Sequence, residues 1–297
     1  MTRKYSLPLT DLSLLFIAVV WALNFSVIKA SLSEIDPYSF NALRFILASA
    51  FIWAVVAKKK AWFSVPKKDW IPLFFLGLFG NLLYQWLFIV GIDLTLAANA
   101  AVMLGTIPIW VALISHFFSY ELMNRLKAAG VFLAFAGVVV IIVSGKNPIS
   151  FGSDTFSGDL TIVVSAVVWA AYTIYSRQFL NRYTPLQFSA FMTSIGAVAL
   201  FLLAIPYASA TDWKHVSPAA YGGAVFSGLF AIGIAYLIWN NGLAKVGAVR
   251  TAAYQNLVPV LGLLFGIVLL GESLEYLQYA GSAVVISGIL LTRYGNL

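Results

Sequence analysis

Trp21 and Asn24 stand three residues apart inside an apolar run, and 148 residues later Trp169 and Tyr172 repeat that spacing in a second apolar run. Residues three or four apart share one face of a helix, so each pair offers a neighbour an aromatic ring beside a hydrogen-bonding group. Asn81 and Gln85, four apart, and Tyr236 and Asn240, four apart, draw polar stripes on two further apolar segments. Tyr254, Gln255 and Asn256, just before Pro259, form the most polar patch inside any apolar segment. Arg44 is the one charge clearly inside such a segment. These types bind rather than react: rings receive apolar or aromatic groups, amides and phenols hydrogen-bond, and a guanidinium captures a carboxylate.

Reactive chemistry lacks its materials. An enzyme site needs a nucleophile, a metal cluster or paired acids. The only histidines, His116 and His215, lie far apart and make no metal site. Cysteine is absent, which removes disulfides and thiolate metal sites. No Walker loop is present, so the chain is not an ATP-driven pump by itself. No catalytic residue, metal or cofactor is expected.

Each candidate has a second, structural reading. Tryptophan and tyrosine also populate interfacial belts, but Trp21 lies about ten residues from either end of its segment, near the membrane centre at roughly 1.5 Å per residue. The amide stripes could serve helix–helix hydrogen bonding, since an amide facing lipid would be unsatisfied. Asn240 and Asn241 could be interfacial. Arg44, roughly 10 Å below the surface if its helix begins at Pro37, could snorkel toward Asp36 or Asp93 instead of holding a ligand; an intramembrane arginine costs about 2.5–3.5 kcal/mol and needs a partner or water.

The elements that position these residues follow from composition. Charged residues are 10% of the 297, against about 25% in soluble domains, and 61% are hydrophobic, which identifies an integral membrane protein. Ten apolar segments of about 20 residues run over 11–31, 37–57, 70–92, 97–119, 124–144, 158–180, 185–205, 218–241, 248–270 and 275–293. Backbone polar groups in lipid must bond within their own segment, so all ten are expected to be helices. The first begins after Asp11, lacks a small-residue cleavage site, and reads as a retained helix rather than a signal peptide.

The segments fall into two copies. Trp21 and Pro37 recur as Trp169 and Pro185 at an offset of 148, and Gly91, Pro108, Glu121, Gly130 and Gly137 recur as Gly242, Pro259, Glu272, Gly281 and Gly288 at 151. The repeats are 1–145 and 158–297, joined by a linker over 146–157. Five helices per copy means that the second enters the membrane from the opposite side. Such inverted repeats characterise many secondary transporters, with substrate held at the midplane where the copies meet. Pro108 and Pro259, symmetry mates at mid-span, should each kink or break a helix at that site by removing a donor and freeing the carbonyls of Leu104 and Gln255.

Placing the N-terminus inside collects Arg3, Lys4, the lysines over 58–68, Arg125, Lys127, Arg182, Lys245, Arg250 and Arg293 on the cytoplasmic face. The other face holds Glu34, Asp36, Asp93, Asp154, Asp159, Asp212, Glu272 and Glu275 against Lys29, Lys146 and Lys214. Topology therefore explains the net charge of +7, and nucleic-acid binding is not expected. No acid falls near a midplane: Asp11, Asp93 and Asp159 lie at helix ends, and Glu121 and Glu272 precede helices, where the dipole favours them. A buried carboxylate relay is absent, which favours facilitated diffusion over tight proton exchange.

Trp21 to Phe25 (WALNF), PYSFNALRF from Pro37, and the run from Gly91 through Ala97, Ala98, Pro108 and Glu121 to GVVVIIVSG resemble the EamA-type, ten-helix branch of the drug/metabolite transporter superfamily. The resemblance covers both halves. It implies a ten-helix basket with cytoplasmic termini, a cavity lined mainly by helices 1, 3, 4, 6, 8 and 9, and export of small metabolites: amino acids, including aromatic ones, or else purines, sugars or drugs. The reading is thus an all-α integral membrane protein of ten transmembrane helices in two inverted five-helix repeats, a secondary transporter of the cell inner membrane. Its partners are a small-molecule substrate and membrane lipid, and a monomer suffices. A channel, a flippase for lipid-linked substrates and a membrane-embedded enzyme are the rivals.

Overall fold

In the computed structural model every regular element is helical among the described residues, which are 9–95, 100, 103–118, 124–144, 156–270 and 276–294. The helices are α1 (Leu9–Ser31), α2 (Pro37–Lys58), α3 (Lys67–Leu94), α4 (Ile107–Phe117), α5 (Arg125–Val143), α6 (Phe156–Phe179), α7 (Pro185–Ala204), α8 (Pro218–Val246), α9 (Ala248–Ala253, then Leu257–Leu270) and α10 (Tyr276–Tyr294). Six of them, α1, α2, α3, α6, α7 and α8, are long and apolar enough to cross a membrane. Starts are written locally. Asp36 accepts the backbone N–H groups of Tyr38 and Ser39 ahead of Pro37, and Thr184 forms a reciprocal capping box with Gln187 ahead of Pro185. These caps sit 148 residues apart. Between α8 and α9 the chain turns at Gly247, whose φ of 86° disfavours any side chain.

The bundle inverts the pattern of a soluble protein. Trp70, Ile71, Phe74 and Phe75 of α3 are exposed, whereas Asp11, Arg44, Asn81, Thr173 and Ser227 are buried. An apolar exterior of this extent is stable only against lipid. We call the face on which α1 begins the near face and the opposite one the far face.

The pseudo-twofold is visible in paired contacts. Gly77 abuts Ile195 as Gly228 abuts Leu47, and Gly91 abuts Ile162 as Gly242 abuts Leu14. Each contact maps onto the other through the offsets 148 and 151. α5 and α10 pack through a shared stripe, Gly130 against Gly288 and Gly137 against Gly281, where backbones approach too closely for side chains. α3 and α8 each contain a wide π-helical stretch at equivalent depth, Leu78–Leu83 and Ser227–Ile234. Such turns are common at functional sites.

Loop ties obey the same symmetry. On the near face Asp69 takes Arg182 and the Tyr183 hydroxyl; on the far face Glu34, the equivalent of Arg182, takes the N–H and hydroxyl of Ser217. Those two donors hold the Glu34 carboxyl below the usual carboxylate range. This tie is therefore complete at neutral pH and is lost as pH falls through the lowered value.

Several boundaries differ from the sequence reading. α3 starts at Lys67 rather than 70, because its first turn can stay in water. α8 runs on to Val246 rather than stopping at 241, which carries Asn240 into the interior. Phe156 and Ser157, assigned above to the linker, open α6. Arg3, Lys4, Ala97, Ala98, Glu121, Lys146, Asp154, Glu272, Glu275 and the remainder of the 146–157 linker lie outside the described residues.

The glycine stripe gives a test of this packing. A Cβ on Gly288 would sit 2.6 Å from the Gly130 carbonyl oxygen and 2.8 Å from Ala134 Cα, both backbone, while one on Gly222 meets nothing within 4 Å. Gly288→Ala should destabilise the protein by about 1–3 kcal/mol, read as a lower melting temperature in detergent, with Gly222→Ala no less stable than the parent.

Candidate functional site

Where the two repeats meet lies a cavity. α1 contributes Trp21, Asn24 and Phe25; α2 Arg44; α3 Tyr84, Gln85 and Phe88; α6 Trp169; α8 Ala231, Ile232 and Tyr236; and the broken stretches around α4 and α9 contribute Leu104, Gly105, Gln255 and Val258. Both repeats line it.

The prolines act as helix restarts. Pro108 falls in the first turn of α4, behind a turn at Gly105–Thr106, and Pro259 follows the 3₁₀ turn Tyr254–Asn256 that interrupts α9. Proline is tolerated in a first turn because the N–H it lacks has no helical partner there. The interruptions bring Leu104, Gly105 and Gln255 to the cavity wall, so the two distortions converge.

Arg44 is fully buried and organises one end of the cavity. Nε donates to Asn41 Oδ1 at 2.9 Å, Nη1 to Ser227 Oγ at 3.1 Å, and Nη2 to Gln85 Oε1. Gln85 Nε2 then donates to the Tyr236 hydroxyl at 2.8 Å, and Asn41 Nδ2 to the Gln85 carbonyl at 3.0 Å. The rings of Phe40 and Phe88 flank the guanidinium at 5.8 and 5.5 Å. All three acceptors are neutral, and no carboxylate of a described residue pairs with it. Snorkelling toward Asp36 or Asp93 does not occur: Asp36 is occupied as a cap and by the Thr211 hydroxyl, Asp93 is exposed at the end of α3, and Arg44 points inward.

An aromatic layer forms the cavity's near-face side. Trp169 lies 4.6 Å from Tyr84, 5.4 Å from Tyr236, 5.2 Å from Tyr172 and 5.9 Å from Trp239, and Trp239 reaches Trp21 at 5.4 Å. Trp21 Nε1 donates to the Ala231 carbonyl at 3.0 Å, within the wide turn of α8. Trp169 Nε1, Asn24 Oδ1 and Gln255 Oε1 are buried without partners, and all three residues line the cavity.

Charged groups brace both ends. Near-face Asp11, wholly buried in α1, receives Arg250 at 2.8 Å and the Tyr254 hydroxyl at 2.6 Å, joining α1 to α9. On the far face Lys29 donates to the carbonyls of Ile92, Asp93 and Thr95 at 2.9–3.0 Å, and Thr95 Oγ1 donates to Asp159 at 2.6 Å. A cation at the C-terminal end of α3 matches the helix dipole.

Of the residues singled out in the sequence, Trp21, Asn24, Arg44, Gln85, Trp169, Tyr236 and Gln255 line one cavity. Asn81, Tyr172 and Asn240 do not; they are buried on its near-face side. Tyr254 is turned away as well, its hydroxyl spent on Asp11. Asn240 donates to Ser189 Oγ at 2.8 Å, an interior hydrogen bond rather than an interfacial position. Among the described residues the further buried acids, Asp11, Asp69 and Asp159, at most 4% exposed, lie in the first turns of their helices, whereas Arg44 lies deeper in α2. Sequence reading missed Tyr84, Phe88 and Trp239, although Phe88 and Trp239 are repeat mates and Tyr84 shares a face with Phe88.

The comparisons with known proteins agree with this architecture. The chain matches the EamA-like transporter family over residues 8–143 and again over 156–294, once per repeat. The chain belongs to the EamA-like transporter family. It is a multi-pass membrane protein of transporter type, with ten helices in two inverted repeats. A relative from Archaeoglobus fulgidus, named "uncharacterized transporter", is 30% identical over 95% of this chain and 96% of its own. The transporter YyaM of Bacillus subtilis is 28% identical over 93% and 91%. A crystal structure with a TM-score of 0.79 and 22% identity, covering 95% of this chain and 94% of its own, shares the fold.

Within this EamA-like protein the aromatic layer should set the tolerance for substrate bulk. Trp169→Ala should weaken binding of large apolar substrates by about 1–3 kcal/mol, the scale of one buried aromatic group, with less effect on small ones. Competition in counterflow between large and small substrates measures the difference.

Proposed function

We propose that the protein is a secondary transporter that moves amino acids or similar carboxylate-bearing metabolites by alternating access, accepting apolar or aromatic side chains. The supporting observation is Arg44: a buried guanidinium on the cavity wall whose protein partners are all neutral. Such a charge is costly to bury, and a substrate carboxylate would neutralise it. The unpartnered acceptors Asn24 Oδ1 and Gln255 Oε1 suit an ammonium donor, and the aromatic walls suit the side chain. No carboxylate of a described residue lines the cavity, which favours movement down the substrate's own gradient over proton exchange. Export as the direction rests on the family resemblance. The working unit is a monomer of two repeats, 1–145 and 158–297.

The near face is assigned to the cytoplasm of a cell inner membrane by its lysines and arginines. In intact cells, an impermeant thiol reagent should label a cysteine at Ser33 and spare one at Lys60; the native chain contributes no background, having no cysteine. The reverse pattern would invert the orientation.

The substrate class is tested at Arg44. Arg44→Met should abolish counterflow of amino acids while sparing analogues in which the carboxylate is amidated, with folded protein still present in the membrane. Equal loss for all substrates together with lower thermal stability would make Arg44 a structural cross-link among α2, α3 and α8, and would remove the basis for a carboxylate-bearing substrate.

A further inference from the structure

Within the aromatic layer and on its near-face side lie buried polar atoms without a well-formed hydrogen bond: both amide atoms of Asn81, the Tyr172 hydroxyl, which Asn81 and Ser176 only flank, Thr173 Oγ1 and Trp239 Nε1. Both amide atoms of Asn256, beside Gln255 in the α9 interruption, are equally orphaned. Asn81, Thr173, Tyr172, Trp239 and Asn256 are each no more than 1% exposed. An orphaned buried polar group costs about 1–3 kcal/mol, and several together require an explanation. Elsewhere in the bundle the ordinary remedy is in use: Thr193, Ser194 and Thr251 return their hydroxyls to the carbonyl four residues back. Thr173 does not.

The repeat symmetry identifies these same residues independently. Offsets of 148 for α1 and α2, and 151 from α3 onward, carry Asn24 to Tyr172, Phe25 to Thr173, Ile232 to Asn81, Phe88 to Trp239 and Gly105 to Asn256. All five starting residues line the cavity. The offsets are physical, since they also map the contacts Gly77–Ile195 and Gly91–Ile162 onto Gly228–Leu47 and Gly242–Leu14. In an inverted repeat the opposite-facing state arises when the halves exchange conformations, so its cavity is lined by the mates of the present lining. Five of those mates are the orphaned residues.

We infer that Asn81, Tyr172, Thr173, Trp239 and Asn256 form a second, near-face subsite that is closed in this conformation and takes up water and the polar groups of the substrate when the cavity opens to the near face. Trp21 and Trp169, Gln85 and Tyr236, and Leu104 and Gln255 are mates that all line the present cavity and so belong to both states, while the mate of Arg44 is Met192. The guanidinium therefore has no counterpart in the new subsite, which binds through neutral hydrogen bonds. The inference rests on the alternating-access reading above.

Single cysteines in the cysteine-free chain test it, using a charged methanethiosulfonate, which reacts with a thiolate and so reports water at the site. Thr173→Cys and Asn81→Cys, two positions of different shape on different helices, probe the subsite; Ala231→Cys probes the cavity. In sealed vesicles presenting the near face, both subsite cysteines should react, and modification should block amino-acid counterflow; Ala231→Cys should react from the far face. If Ala231→Cys reacts and counterflow proceeds while both subsite cysteines stay inert from the near face, the subsite is refuted and the transport reading stands. If the folded parent chain supports no counterflow of any carboxylate-bearing substrate, the transport reading itself falls. Reaction of the subsite cysteines from the far face alone would also overturn the inference, since the groups would then be part of the present cavity.

Discussion

Inside a bilayer no solvent stands ready to satisfy a polar atom, and the interior of this bundle is arranged around that constraint. Arg44 displays it most sharply. Each of its three nitrogens donates once, to Asn41, Ser227 and Gln85, and Gln85 passes the network on to Tyr236. One guanidinium thus ties α2, α3 and α8 together at the cavity wall. The residual problem is charge: hydrogen bonds to neutral acceptors orient a cation but do not neutralise it. A guanidinium oriented by neutral acceptors and electrostatically incomplete is suited to an anionic ligand group.

The same constraint governs the helix interruptions. Pro108 and Pro259 open the backbone at membrane depth, which is tolerable only beside protein or cavity water. Both breaks border the cavity, and the wide turns of α3 and α8 lie at the matching depth in the other pair of helices. The glycine-packed α5–α10 pair, by contrast, is regular helix throughout its described length. The charged ties, Asp11 with Arg250 at one end and Lys29 with the α3 carbonyls at the other, brace the helix ends around the cavity.

Membership in the EamA-like family fixes the architecture and transport as the general activity. On the proposed reading, substrate selection comes from local chemistry: the charge of Arg44, the unpartnered acceptors of Asn24 and Gln255, and the aromatic walls. On the same reading, the two access states are chemically unequal, because the repeats differ at Arg44 and Met192 even though the backbone symmetry is close.

Legible in the sequence alone were the membrane class, the ten segments, the offsets of the repeat and seven residues of the cavity wall, five from helical spacing, Arg44 as a lone charge in an apolar segment and Gln255 from the polar patch before Pro259. These follow from local rules: apolar length, period, proline and cap chemistry. Spacing also placed Asn81, Tyr172 and Asn240 on inward faces, but a face does not say to which side of a closed layer a residue falls; that depends on conformation, which pattern does not encode. Long-range partners were likewise out of reach. Asp11 reads as an ordinary helix-end acid, and only packing brings Arg250, 239 positions away, into contact and buries the pair. Trp239 reads as one tryptophan of nine, yet its place between Trp21 and Trp169 arises where α1, α6 and α8 converge. One-dimensional pattern determines which faces turn inward; the meeting of those faces, and so the site, is decided by the three-dimensional packing of helices distant in the chain.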